Sequence, residues 1–265
     1  MNALAVYRFL TPEQMAYELG ISTHGYLQKK LLRKLRLMKP QIIGHVDHGR
    51  KEGSFSYYLK KKGAEAVARS QGVPLTSISF PKGNSVNFGD EFEHRAAIVS
   101  SHIAFRKWAQ RESVGVDFFH PDFESFKGRK EIGHAVSRAQ VRYGRFSFMA
   151  DAIARFTHKK KHRLCFWEIH HTTNPKAIAY KLDQHIYAIH EEAWKNQFQH
   201  HAANFVLSIH WRKATMQTTM NHLMKVHDFE TFLPLFHFNT ISRIKQDFAS
   251  GWQMANRVNS PLFLS

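Results

Sequence analysis

Between Phe146 and His170 the chain holds two apolar runs of strand length, and each carries one carboxylate. The first, Phe146 to Phe156, contains Asp151. The second, Leu164 to His170, contains Glu168, and a basic segment from His158 to Arg163 joins the two. Two such runs flanking a polar turn predict a β-hairpin. A lone carboxylate in apolar surroundings is costly unless it is paired or bound to a metal. The two-residue period of a strand puts Glu168 and His170 on one face, with Trp167 and Ile169 on the other. Two acids on adjacent strands, with a third polar group two residues beyond the second, match the layout of a divalent-metal phosphodiesterase site. The plainer alternative is a strand end whose acids are solvated.

At 265 residues the chain has room for one large or two modest domains, each able to bury a core. A hydrophobic share of 43% with 22 phenylalanines argues against disorder. The single cysteine, Cys165, excludes an internal disulfide and a cysteine-based zinc cluster. No run of about 18 apolar residues is present, so no membrane span is expected. The first residues carry no apolar segment followed by a cleavage site, from which a cytoplasmic location is expected. The net charge of +17 favours a polyanionic partner, and the interleaving of basic and aromatic residues points to nucleic acid.

Three segments divide the chain: residues 1–72, a Pro-, Gly-, Ser- and Asn-rich linker over 73–89, and residues 90–265. In the first, Thr11-Pro12-Glu13-Gln14 combines an N-cap, a helix-initiating proline and a capping box, which predicts a helix from Pro12 to Leu19 ended by Gly20. A second helix is expected over His24 to Met38, with Leu27, Leu31, Leu35 and Met38 as its buried stripe and Lys29, Arg33 and Arg36 opposite. Gln41 to Gly44 and Ser54 to Leu59 read as a strand pair with His45 to Gly53 as its turn, and another helix opens near Lys60. Together these resemble a winged helix-turn-helix. Residues 1–75 hold 13 Lys or Arg against 5 Asp or Glu, a surplus of +8 that suits DNA. Arg33 and Arg36 are candidates for base contacts, and Lys29, Lys30 and Lys34 for phosphates, with Arg50 and Lys51 at the wing tip.

The C-terminal segment alternates helical and strand patterns, an α/β (α+β) signature. A helix is expected from Glu93 to Trp108, and Pro175 opens another running to about Trp194, with Ile178, Leu182, Ile186 and Ile189 as its buried stripe. Lys181 and His185, four apart, sit at the edge of that stripe, within reach of the strand ends carrying the acids. Asn204 to His210 reads as a central strand, Arg212 to Val226 as a basic helix, and Phe232 to Phe238 as a last strand.

The order of these features resembles the replication-relaxation family of plasmid and mobile-element proteins, which joins a winged helix to a core similar to PD-(D/E)xK restriction endonucleases. The matching residues are Tyr57-Tyr58-Leu59 with Lys62-Gly63-Ala64, Glu93-His94, Ala150-Asp151, Glu168-x-His170 followed by Thr172, Lys181-Leu182, and Phe232 to Phe238 with Trp252 beyond. The resemblance implies an N-terminal winged helix followed by a restriction-endonuclease-like mixed sheet flanked by helices. It also implies an atypical relaxase that nicks one strand of plasmid DNA at an origin of transfer, with accessory relaxosome or coupling proteins as further partners. Two positions depart from the family pattern: Ala150 replaces the usual proline, and His170 stands where the nuclease motif has lysine. A neutral imidazole can ligate metal or take a proton, but it gives no fixed cation; Lys181 is the candidate to supply one.

On this reading Asp151, Glu168 and the Ile169 carbonyl hold Mg²⁺ or Mn²⁺, hard cations that prefer oxygen. His170 is base or extra ligand, and Glu93 is an additional acid with Glu91 as fallback. Orthodox relaxases use a His-hydrophobe-His triad with a nucleophilic tyrosine; the chain has no such triad, and Tyr143, Tyr180 and Tyr187 have no distinguishing context. Two alternatives stay open: a DNA-binding replication or transcription regulator with a degenerate core, and a double-strand nuclease.

Overall fold

A computed structural model describes residues 1–21, 27–49, 55–81, 92–123, 137–199, 204–226 and 229–258; the side chains of 27–29 and of Asn196 are not among the described parts. These residues form a mixed α/β structure in two compact units, Met1–Val99 and Ser100–Ser265.

In the first unit, α1 covers Asn2–Tyr7 and α2 covers Pro12–Leu19. The capping box forms as expected: the Thr11 hydroxyl accepts from the Gln14 amide at 3.2 Å, and the Gln14 side chain accepts from the Thr11 amide at 2.9 Å. Gly20 closes α2 in the left-handed conformation at φ 66°, where a side chain would be strained. The following helix departs from expectation. Residues Leu27–Leu32 are π-wound and lead into α3, Arg33–Leu37. A π-turn adds a residue to each hydrogen-bonded ring, so the 3.6-residue stripe slips. Leu32, rather than Leu31, is buried, and Leu31 and Met38 are exposed. Residues 22–26, including the expected start of this helix, lie outside the described residues.

Strand β1 (Ile43–Asp47) pairs antiparallel with β2 (Phe55–Leu59), from Ile43↔Leu59 to Asp47↔Phe55. His45, Val46 and Asp47 therefore belong to the ribbon and not to its turn. The cause is the Tyr57 and Phe55 rings, which pack 6.2 and 5.9 Å from the His45 ring across the pair and extend the ladder. Helix α4 (Lys61–Gln71) follows. Gly63 there lets the helix approach the ribbon, since a Cβ would lie 2.2 Å from the Ile42 carbonyl oxygen. Helix α5 (Phe92–Arg111) crosses the division between the units, and the later part of the expected linker, residues 82–89, lies outside the described residues together with Asp90 and Glu91.

In the second unit, β3 (Gly115–Pro121), β6 (Ala152–His158), β7 (Lys161–His170), β8 (Asn204–His210) and β9 (Phe236–Thr240) form one five-stranded sheet in that order. The β3–β6 and β6–β7 pairs are antiparallel, and the β7–β8 and β8–β9 pairs are parallel. Parallel pairing requires a crossover. Here α6 (Pro175–His190) and the short α7 (Ala193–Phe198) make the first, and α8 (Lys213–Leu223) with a 3₁₀ segment at Phe229–Leu235 makes the second. A separate pair, β4 (Gln140–Tyr143) and β5 (Phe146–Met149), and a terminal α9 (Ile241–Gln246) complete the unit.

Several sequence expectations shift here. The run from Phe146 to Phe156 is two strands, not one. Its ladder breaks at Ala150, whose amide bonds the Ala139 carbonyl at 3.1 Å, so the chain peels away to pair with β4. The β6–β7 turn is tighter than the basic segment suggested. Only Lys159 and Lys160 lie outside the strands, at φ 49° and 65°, as a two-residue turn with both centres left-handed requires. Helix α6 stops at His190 rather than Trp194, because Glu192 turns left-handed. Phe232 to Leu235 is 3₁₀ rather than strand, and the last strand begins only after Pro234, which has no amide to give a ladder.

The sheet is buried on both faces. On one, Trp167 packs edge-on to Phe105 at 5.5 Å and to Phe119 at 5.2 Å, with Phe248 nearby. On the other, Ile178, Leu182 and Ile186 of α6 and Met216 and Met220 of α8 cover Val206, Phe236 and Phe238. Alternation along β7 therefore sends Trp167 and Glu168 to opposite sides, and the polar site lies on the α6 side. No helix among the described residues is long and apolar enough to cross a membrane.

Candidate functional site

Register brings the two acids together. Ala152 is opposite Trp167 on the β6–β7 pair, and the Asp151 amide donates to the Trp167 carbonyl at 3.0 Å, so Asp151 falls level with Glu168. Because the chain leaves the ladder just before Asp151, the Ile169 amide has no strand carbonyl to meet. The Asp151 carboxylate substitutes, accepting from that amide through Oδ2 at 2.5 Å. Asp151 is 4% exposed and Glu168 is fully enclosed at 0%.

Helix α6 supplies the compensating charge. Asn174 caps it, accepting from the amides of Lys176 and Ala177, and Pro175 occupies its first turn. Lys181 Nζ lies 2.8 Å from Asp151 Oδ1 and 2.5 Å from Glu168 Oε2. One turn later, His185 Nε2 donates to Glu168 Oε1 at 2.7 Å, and the His185 ring stands edge-on to Phe148 at 4.5 Å. Burial on its own would lower the Lys181 ammonium, but the Glu168 and Asp151 carboxylates outweigh it and hold the group above its ordinary range. Both acids thus converge on a single cation, the ammonium of Lys181.

A third carboxylate is close. An Asp122 oxygen and an Asp151 oxygen lie within 4.8 Å of each other, and the Asp122 amide donates to the Asp151 carbonyl at 2.9 Å at the end of β3. Asp122 stood in the sequence without a pattern to mark it; its relevance depends on the β3–β6 pairing.

His170 occupies a separate polar chain on the same sheet face. Its Nε2 is 3.1 Å from Ser208 Oγ, which is 2.9 Å from His210 Nε2. Parallel pairing sets this up, with Glu168 opposite Ser208 and His170 opposite His210. Burial pushes the His210 imidazole down to about 3, so it is neutral. Its Nδ1 is buried with no hydrogen-bond partner. A buried orphan N–H is rarer and dearer than an unused lone pair, so the His210 proton belongs on Nε2, donating to Ser208. The Ser208 hydroxyl bridges the two rings, with His170 Nε2 as its second partner. Alternation of Ser208 and His210 within a buried strand was the signal in the sequence that sequence reasoning did not use.

The remaining candidates are placed as follows. Glu93 lies in the first turn of α5, in the first unit. Lys30, Arg33 and Lys34 are exposed on the π-wound segment and α3, while Arg36 is half-buried with a guanidinium nitrogen 3.4 Å from His45 Nε2. The Lys29 side chain, Arg50 and Lys51 lie outside the described residues.

Asp151, Glu168, Asp122 and the Ile169 carbonyl are oxygen donors, the type that suits Mg²⁺ or Mn²⁺. That two of these carboxylates already close around a cation fits them to a metal, provided Lys181 gives way at both Asp151 Oδ1 and Glu168 Oε2. Compared with known proteins, the chain matches no family model, no curated protein and no solved structure.

Proposed function

We propose that this protein is a DNA-binding, metal-dependent endonuclease that nicks one strand, of the atypical plasmid-mobilisation relaxase type. The observation that carries the reading is the convergence of Asp151 and Glu168, from adjacent strands, with Lys181 of the following helix between them. The nuclease motif expects lysine two residues after the second acid, and the chain has His170 there. Lys181 restores the missing charge from α6. The sheet supports the same reading: three antiparallel strands, a helical crossover and a parallel fourth strand are the order expected of a restriction-endonuclease-like core. The ribbon and helices of the first unit, with exposed Lys30, Arg33 and Lys34, support a winged-helix role in holding the duplex.

In this mechanism Asp151, Glu168 and the Ile169 carbonyl, with Asp122 alongside, would hold Mg²⁺ or Mn²⁺. When bound, such an ion would supply Lewis-acid chemistry toward a phosphodiester and its attacking water. Lys181 offers its ammonium to the charge that develops on phosphate. His185 fixes the Glu168 carboxylate, and the Ile169 amide fixes that of Asp151. His170, whose Nε2 meets the Ser208 hydroxyl, stays the candidate for base or extra ligand.

The same ion pairs also favour a second reading. An ammonium seated between the acids gives them a permanent partner, as a DNA-binding regulator with a degenerate core would have. Supercoiled target plasmid incubated with Mg²⁺ or Mn²⁺ separates the readings. Open-circle product from the native protein, absent with Asp151→Ala and Glu168→Ala, supports the nickase. Intact plasmid under either metal with binding retained supports the regulator, and linear product points to a double-strand nuclease.

A further inference from the structure

Beside the acid cluster, the second unit exposes aromatic rings that its core does not use. Phe146 is 57% exposed, Tyr180 71% and Tyr187 57%. Tyr143 is half-buried, with its ring 5.9 Å from that of Phe146. Helix α6 packs against β4, which brings its outer face and the β4–β5 hairpin together. The Arg145 guanidinium sits over the Phe146 ring at 5.2 Å. Next to these rings is an open cleft of about 570 Å³ whose lining includes Arg138, Gln140, Arg142, Tyr143, Glu191 and Gln197.

This patch connects physically to the site. The Tyr143 ring is 6.1 Å from Phe148, Phe148 is 4.5 Å from His185, and His185 bonds Glu168. Exposed rings of this size mark a surface that meets a partner. Three arginines (138, 142 and 145) against Asp183 and Glu191, on a chain of net charge +17, favour an anion. Rings interleaved with arginines are what unpaired nucleotides need, because every base offers a face for stacking and every linkage a phosphate. A duplex hides those faces inside its own stack.

We propose that the β4–β5 hairpin and the outer face of α6 form a stacking platform for an unpaired DNA strand, with Tyr143, Phe146, Tyr180 and Tyr187 against bases and Arg142 and Arg145 against phosphates. This rests on the DNA-cleavage reading and extends it: the strand at the site is held with its bases splayed.

The test is fluorescence anisotropy of the full chain with labelled oligodeoxythymidylate and with a labelled duplex of equal length, at one fixed salt concentration. Phe146→Ala and Tyr180→Ala each lower single-strand affinity roughly tenfold, Tyr180→Phe retains it, and duplex affinity is unchanged. Both residues are exposed, so circular dichroism of the variants matches the native protein. Unchanged single-strand affinity in both alanine variants overturns the platform. So does an equal loss on duplex, or a native protein that binds duplex and not the single strand. A native protein that binds neither oligonucleotide overturns the platform and the DNA reading together.

Discussion

Replacing Lys181 with methionine removes the cation on which Asp151 and Glu168 converge while keeping much of the side chain's apolar volume. Breaking a buried ion pair from one side costs about 3–5 kcal/mol, because the other charge stays behind without a partner. The Lys181 side chain is 32% exposed, whereas those of Asp151 and Glu168 are 6% and 0% exposed. Solvent therefore softens the loss, which is expected near the lower bound, about 3 kcal/mol. For a domain of this size that lowers the melting temperature by about 6–12 °C at neutral pH. Two consequences distinguish this from generic damage. The vacated acids take up protons more readily, so the variant recovers relative to the native protein as pH falls. They also accept a divalent ion without displacing an ammonium, and Mn²⁺ at 100 times its dissociation constant returns about 2.7 kcal/mol. Differential scanning fluorimetry with and without Mn²⁺ measures both, while the variant's nicking activity is lost. Equal melting temperatures for variant and native protein, with no Mn²⁺ effect on either, would refute the idea that these acids form one cation-binding unit.

Acid stability follows from histidines kept neutral by burial. The His102 and His210 imidazoles are pushed down to about 3 and His237 to about 4, in each case first by burial. The unfolded chain takes up these protons near pH 6.5 and the folded chain refuses them, so stability falls as pH drops below about 6.5, by roughly 4 kcal/mol per pH unit once all three titrate. Urea midpoints between pH 7 and 5 check this, and a flat profile contradicts it. Cys165 is fully buried and its thiol is raised by burial, so a thiol reagent labels only the denatured chain; fast labelling of the native protein sinks that placement. If the first unit neutralises about five phosphates, log affinity for duplex falls with log salt at a slope near −4 to −5, and a salt-independent affinity removes it as a DNA anchor.

Local chemistry was readable where a single residue type fixes the backbone. Thr11, Pro12, Gln14 and Gly20 delimit α2, Pro175 opens α6, and the spacing of Lys181 and His185 marks the edge that meets the acids. What escaped depended on partners distant in sequence. Asp151 leaves the ladder because Ala150 has another strand to join, and nothing within Phe146 to Phe156 announces β4. Gly115 to Pro121 lacks a strong strand pattern and becomes β3 through pairing with β6. The stripe Leu27, Leu31, Leu35 and Met38 presumes α-helical winding, which the π-turn at Leu27–Leu32 denies. Ser208 and His210 read as ordinary strand polarity until the parallel register sets them beside Glu168 and His170.

Helix α6 carries the ammonium that both acids share and the imidazole that steadies one of them, and both ride a single stiff rod anchored at Asn174 and Pro175. They cannot be adjusted separately. A slide of that rod by a fraction of a turn would withdraw lysine and histidine in one stroke, so whatever presses on its outer surface also sets how tightly the two carboxylates are gripped.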